Sequence, residues 1–285
     1  MSILVIGGSN IDVKAKTLAS HIPRTSNPGA VSIKAGGVAR NIAHNLARLD
    51  VDTTLLSVIG NDIFGQMLIQ ETSKAGVNIS HVMRTNQATG SYIAVLDERG
   101  ELITAVSDME LLLCLSKEYI ASHKSIVKEK NYLIADCNLT DETLNELAFR
   151  AADKLVIEPV SVTKSTKLLT LLKFYKVFLA TPNLDQIEAL TGTRDIPTAA
   201  KTLHKLGLQN IVIHAGEQGA FTSDGNEITH IPSQAKTILD VTGAGDAATA
   251  GLISGLLKNL PLAKAAIIGQ EIAAKVIASP SSTLD

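Results

Sequence analysis

The sequence has 285 residues, 45% hydrophobic but only 3% aromatic, and its 26 Lys and Arg nearly balance 28 Asp and Glu for a net charge of −2. That apolar share argues against intrinsic disorder, and a near-neutral chain with no basic cluster and few aromatics argues against a nucleic-acid polymer as partner. No apolar run reaches the roughly 20 residues of a membrane span, no basic leader opens the chain, and Cys114 and Cys137 have neither zinc nor disulfide-framework spacing, so a cytoplasmic protein with reduced thiols is expected.

Residues 3–6 form a short apolar run ending in Gly7-Gly8, the pattern of a buried strand. From Val38 the apolar positions Val38, Ile42, Leu46 and Leu49 recur at helical spacing. A strand over 54–59 and a helix over 63–75, closed by Gly76, follow. This alternation predicts a doubly wound α/β sheet. Two pieces interrupt it: the irregular, strand-like residues 13–34, and a hairpin pattern whose arms, 92–96 and 101–106, flank Asp97-Glu98-Arg99-Gly100. Together they predict a small β annex on the main domain. The alternation resumes after residue 115, with strands over 132–135, 155–157, 177–180 and 211–214 and helices over 143–151, 165–172, 184–190 and 199–206. A late hairpin turns at Asp224-Gly225-Asn226, and helices over 247–257 and 262–277 close the chain around Pro261.

The most informative stretch is Asp240-Val241-Thr242-Gly243-Ala244-Gly245-Asp246, a glycine-rich turn running into a helix of small residues. The first amides of such a helix lack intrahelical partners and sit at the positive end of its dipole, which suits a phosphate or a developing anion. A carboxylate in that first turn, Asp246, stands where it can take a proton from a hydroxyl. A bare G-x-G-D also describes an ordinary turn capped by Asp246. Gly36-Gly37 before the helix at Val38 allows close backbone approach, and Asn41 offers both a donor and an acceptor, or simply faces solvent. Asp12 follows the first strand, where open α/β sheets place their ligands, or else it forms a turn. Residues 214–220 read as a strand leading into a turn. The seven histidines are scattered and suggest no transition-metal cluster.

The run from Asp240 to Ile253 resembles, position by position, the second signature of the ribokinase-like carbohydrate kinases, the PfkB family, and residues 36–43 resemble its first signature. The resemblance extends from residue 2 to about 283. It implies one kinase domain over residues 1–285, a three-layer α/β sandwich with a small β-sheet lid from about 13–34 and 88–110. It also implies ATP as donor, with Mg²⁺. Asp246 then corresponds to the catalytic base, and Gly243, Ala244 and Gly245 to the anion hole. Asp12, Gly36, Gly37 and Asn41 correspond to sugar-binding residues. Asn138 falls where ribokinases carry a sugar-contacting acid, Lys164 is a candidate phosphate or substrate contact, and Tyr92 is the lid aromatic available for stacking. Asn183, Gly216, Gly219 and Thr242 fall on the nucleotide side. Gln186 stands where the family has Glu, so it can serve a metal only through a bound water. The segment around Asp240 and Thr242 implies a monovalent cation, K⁺. Asp50 replaces the Gly that usually closes the first helix.

Within the family, residues 26–29, 36–41, 91–102, 105–109 and 158–164 resemble the pseudouridine-kinase branch, which usually has Asp where Glu158 stands. That branch implies ATP-dependent phosphorylation of the 5′-hydroxyl of pseudouridine, a small-molecule nucleoside. Other acceptors (ribose, adenosine, inosine) stay open. So does a low-turnover nucleoside-binding protein, for which Gln186 and a short C-terminal segment are the motivation. Lids of some relatives pair, which admits a homodimer, although residues 88–110 show no decisive apolar stripe.

Overall fold

The computed structural model describes residues 1–285. In chain order its first half comprises β1 (Ser2–Ile6), β2 (Asn10–Thr17), β3 (Gly29–Gly36), α1 (Val38–Arg48), β4 (Asp52–Gly60), α2 (Ile63–Lys74), β5 (Asn78–Thr85), β6 (Ser91–Leu96), β7 (Leu102–Asp108), α3 (Lys117–Ser122), α4 (Lys124–Glu129), β8 (Tyr132–Asp136) and α5 (Asp141–Ala151). The second half comprises β9 (Leu155–Glu158), α6 (Val162–Ser165), α7 (Lys167–Leu172), β10 (Val177–Ala180), α8 (Leu184–Thr191), α9 (Ile196–Leu206), β11 (Leu208–His214), β12 (Ala220–Ser223), β13 (Ile228–Ile231), α10 (Ala244–Leu257) and α11 (Leu262–Ile277).

A nine-stranded sheet runs in the order β13-β12-β11-β10-β9-β8-β1-β4-β5. It is parallel from β11 through β5, and the β12–β13 hairpin adds antiparallel strands at one edge. Strand side chains alternate between faces, so each face of the sheet has its own core. Ile3 and Val5 of β1 join Ile134, Val156, Leu179 and Val212 under α1, α10 and α11. Leu4 and Ile6 join Leu133, Leu155, Ile157 and Ile213 under the helices between residues 117 and 206. These are the expected three layers.

The central strand β1 pairs with β4 on one side and β8 on the other, so the chain leaves it in opposite directions. A crevice opens at the carboxyl ends of strands that part in this way. Over it stands a second, four-stranded sheet, β3-β2-β6-β7, built from the two interrupting segments. Its register aligns Asp12 with both Lys34 and Tyr92, so these side chains share one face. The opposite face exposes Val31, Ile33, Ile93 and Val106. The apolar patch that the hairpin sequence alone does not show therefore arises when β2 joins β3 to the hairpin in one sheet.

Three differences from the sequence reading have simple causes. β5 was not expected, because an edge strand with one solvent-facing side keeps only weak alternation. The short helices α3 and α4 were not expected either, as six residues carry too few turns for a periodic signal. α10 begins at Ala244, three residues before the apolar run, because Gly243 takes φ +80° as its N-cap and turns the chain directly into the helix. Asp50, which stands where a glycine was expected, does adopt the left-handed backbone, with φ +60°.

Candidate active site

α10 points its N-terminus into the crevice, and Asp246 sits in its first turn. Asn41 of α1 donates from Nδ2 to Asp246 Oδ2 at 2.8 Å. Arg40 is fully buried beside it and donates to the carbonyls of Gly36 and Ala35, both at 2.9 Å, and to Asn41 Oδ1. A chain of contacts thus runs from the Gly36-Gly37 turn through Arg40 and Asn41 to Asp246. Burial holds the Asp246 carboxyl well above the usual carboxylate range, and Glu158 raises it further, while Asn41 and Arg40 pull the other way. A carboxyl raised in this manner accepts a proton more readily than an ordinary one.

Of the three amides expected to form an anion hole, one is committed within the protein. The Ala244 amide donates to the Val241 carbonyl at 3.2 Å, whereas those of Gly243 and Gly245 meet no protein acceptor. Gly245 also faces open space, with no atom within 4 Å of where a Cβ would lie. Gly243 is packed instead: a Cβ there would lie 2.1 Å from the Ser282 carbonyl oxygen.

The expected sugar side assembles around the end of β1. Asp12 accepts from Asn10 Nδ2 at 2.7 Å, and burial raises its pKa. Gly37, with φ +100°, lies against the Gly8 carbonyl. Tyr92 is 37% exposed on the sheet face it shares with Asp12. Asn138 lies beside Gly8, and its Oδ1 accepts from Lys164 Nζ, so these two predicted residues meet each other.

On the other side of the Gly243 turn is a cavity of about 230 Å³, lined by Gly216, Gly219, Ala244, Gly245 and His214 among others. His214 Nε2 has no hydrogen-bond partner, and burial lowers the ring's pKa to about 4, leaving a neutral imidazole. Asn183 and Gln186 are committed to one another: Gln186 Oε1 accepts from the Asn183 amide at 2.8 Å, and Asn183 Oδ1 from the Gln186 amide at 2.9 Å. This capping box starts α8 and keeps Gln186 buried. Thr242 and Asp240 both meet Lys14 of β2.

Four residues at the site have no role assigned from the sequence. Asp136 ends β8 and accepts from the amides of Gly8, Ala39 and Asn138, fastening three crevice segments together. Glu158 ends β9, accepts from Thr181 Oγ1 at 2.6 Å and Thr249 Oγ1 at 3.3 Å, and is pushed by burial to about 7. Their place at strand carboxyl ends was the available signal. Arg40 lay inside the quoted motif. Lys14 had no signal, since only the packing of β2 against the turn at Asp240 brings the two together.

A family model described as "pfkB family carbohydrate kinase" matches residues 1–285. The chain belongs to the pfkB family. Members of that family are kinases acting on alcohol groups, so it is a phosphotransferase with an alcohol acceptor. It is 34% identical over 276 residues to a pseudouridine kinase of Escherichia coli (strain K12), covering 94% of this chain and 88% of that one. A carbohydrate kinase from Agrobacterium tumefaciens superposes with a TM-score of 0.84 at 29% identity, covering 99% of this chain and 92% of the other. The fold is also that of an Arabidopsis thaliana ribokinase solved with ribose and ATP, with a TM-score of 0.84, 18% identity, and 99% and 94% coverage. As in other pfkB kinases, the acceptor is a small molecule. No helix is long and apolar enough to cross a membrane.

Proposed function

We propose that the protein transfers the γ-phosphoryl group of ATP to the 5′-hydroxyl of pseudouridine, giving pseudouridine 5′-phosphate and ADP. The observation that carries the phosphotransfer is the convergence at Asp246. The carboxylate stands at a helix N-terminus, tied by Asn41 to the Gly36-Gly37 turn on the sugar side, and the Gly245 amide opens toward the cavity on the other. The similarity to a pseudouridine kinase supports the choice of nucleoside.

In this reading Asp246 takes the hydroxyl proton as the oxygen attacks the γ-phosphorus in line and ADP departs. The amides of Gly243 and Gly245 stabilise charge on the transferring group. Asp12, Gly36, Gly37 and Asn41 orient the sugar, with Tyr92, Asn138 and Lys164 nearer its base and edge. Gly216 and Gly219 line the cavity assigned to the nucleotide, Asn183 and Thr242 lie outside its lining, and the unpartnered His214 Nε2 offers its lone pair or proton to the bound base. The four-stranded sheet acts as the lid that excludes water, the condition for a kinase not to hydrolyse ATP.

No three His, Cys, Asp or Glu side chains stand together as a metal cage, and Gln186 Oε1 is taken up in the capping box. These donors suit a Mg²⁺ held chiefly by nucleotide phosphates and waters. Such an ion supplies neutralisation of phosphate charge. The exposed apolar face of the lid suits pairing with a second copy, which sedimentation over a concentration series would detect. We place the reaction in the cytoplasm.

A coupled ADP-release assay over pseudouridine, uridine, adenosine, inosine and ribose tests the substrate. The highest kcat/KM should fall to pseudouridine. A higher value for any other acceptor overturns the assignment. Thermal stabilisation by pseudouridine without ADP release would instead favour a nucleoside-binding protein.

A further inference from the structure

Lys14 reaches from β2 of the small sheet to the turn that precedes the anion hole. Its Nζ donates to Asp240 Oδ2 at 3.1 Å and to Thr242 Oγ1 at 2.9 Å. Asp240 Oδ1 meanwhile accepts the Thr242 amide at 2.9 Å. One carboxylate and one ammonium therefore fix residues 240–242, and Gly243 follows directly. Any rotation of this turn moves the amides of Gly243 and Gly245, the only donors of the expected hole without a protein acceptor.

The same oxygens are those around which a free monovalent cation was expected. An alkylammonium and a potassium ion carry the same charge and seek the same oxygen donors. The space left between Asp12, Lys14, Ser32, Lys34, Asp240, Thr242 and Ser282 is about 10 Å³, room for one water at most and none for a second, hydrated cation. The charges facing it are the Asp12 and Asp240 carboxylates and the two lysine ammoniums. Lys34, on the neighbouring strand, donates instead to the Pro280 carbonyl, so it secures the C-terminal segment and not the turn.

We propose that Lys14 is a positioning residue whose tethered ammonium serves as the cation of the Asp240–Gly245 turn. It couples closure of the small sheet to the geometry of the anion hole and makes a free monovalent cation unnecessary. Both partners are about a third exposed, 33% and 29%, and such pairs add little to stability. The consequence falls on turnover, because small displacements of groups that stabilise a transition state are costly in rate.

The turnover part of this inference rests on the phosphotransferase reading. The test compares the native protein, Lys14→Met and Lys34→Met in KCl and in tetramethylammonium chloride at equal ionic strength. Native ADP release should be the same in both salts. Lys14→Met should lose kcat on the order of tenfold in tetramethylammonium, with KM for the acceptor little changed, and regain much of it in K⁺ or NH₄⁺. Lys34→Met should stay indifferent to the salt. A readout independent of activity is the melting temperature, which K⁺ should raise in Lys14→Met and leave unchanged in the native protein, since a ligand of the folded state alone stabilises it. A native enzyme that needs K⁺, a Lys14→Met enzyme with native turnover in tetramethylammonium, or cation rescue that is equal in Lys34→Met overturns the proposal. If the native protein phosphorylates no acceptor, the kinase reading fails on its own, and the melting comparison still decides the cation assignment.

Discussion

Replacing Glu158 by Gln isolates the electrostatic consequence of one buried carboxyl in the crevice. Glu158 is only 8% exposed, and burial raises its pKa from the ordinary 4.5 to about 7. The hydroxyls of Thr181 and Thr249 pull the other way but do not offset the burial. Between those two values the folded protein holds a proton that the unfolded chain has released. The stability Glu158 contributes is therefore fully present below about pH 4.5 and is lost as pH rises through about 7. At about 1.4 kcal/mol per pH unit, the rise is on the order of 3 kcal/mol. A glutamine keeps a carbonyl for both threonines and does not titrate. The stability of Glu158→Gln relative to native should therefore increase by on the order of 3 kcal/mol between about pH 4.5 and about pH 8.5, measured by urea denaturation at each pH. A second readout follows from the field of Glu158 on Asp246. Without that neighbour, Asp246 should lose its proton at lower pH, and the acid limb of the pH–turnover profile should move down. A relative stability that does not change with pH would refute the reasoning, because it would mean that Glu158 titrates as an ordinary carboxyl.

Asp246→Asn should lower turnover by on the order of 10² or more without lowering the melting temperature, since the amide removes a charge that burial disfavours; near-native ADP release from the folded variant would refute Asp246 as the base. Gly37→Ala places a Cβ 2.4 Å from the Gly8 carbonyl oxygen at φ +100° and should cost more than about 2 kcal/mol in denaturation. Gly36→Ala meets Asp12 Oδ2 at 2.2 Å, a side chain that can swing away, so it should chiefly raise KM for the acceptor. Equal stability losses in the two would count against that distinction. Asp50→Gly relieves a left-handed residue at the end of α1 and should stabilise by about 0.5–1 kcal/mol, read as a higher urea midpoint with turnover unchanged.

The sequence by itself determined the strand–helix alternation, because period-2 and period-3.6 patterning must match the faces that become buried. Ile3 to Ile6 and Leu262 to Ile277 were legible for that reason. It also identified the Gly243–Asp246 turn and Gly36-Gly37, since close backbone approach leaves glycine as a visible residue type. The similarity to known kinases then supplied the family. Only the tertiary structure decided which charges meet. Lys14 and Asp240 are 226 positions apart, Asp12 and Tyr92 become neighbours through strand register, and Glu158 is perturbed because helices and strands exclude water around it. Electrostatics and hydrogen bonding act through space, and a local pattern carries no record of distances set by the packing of distant segments.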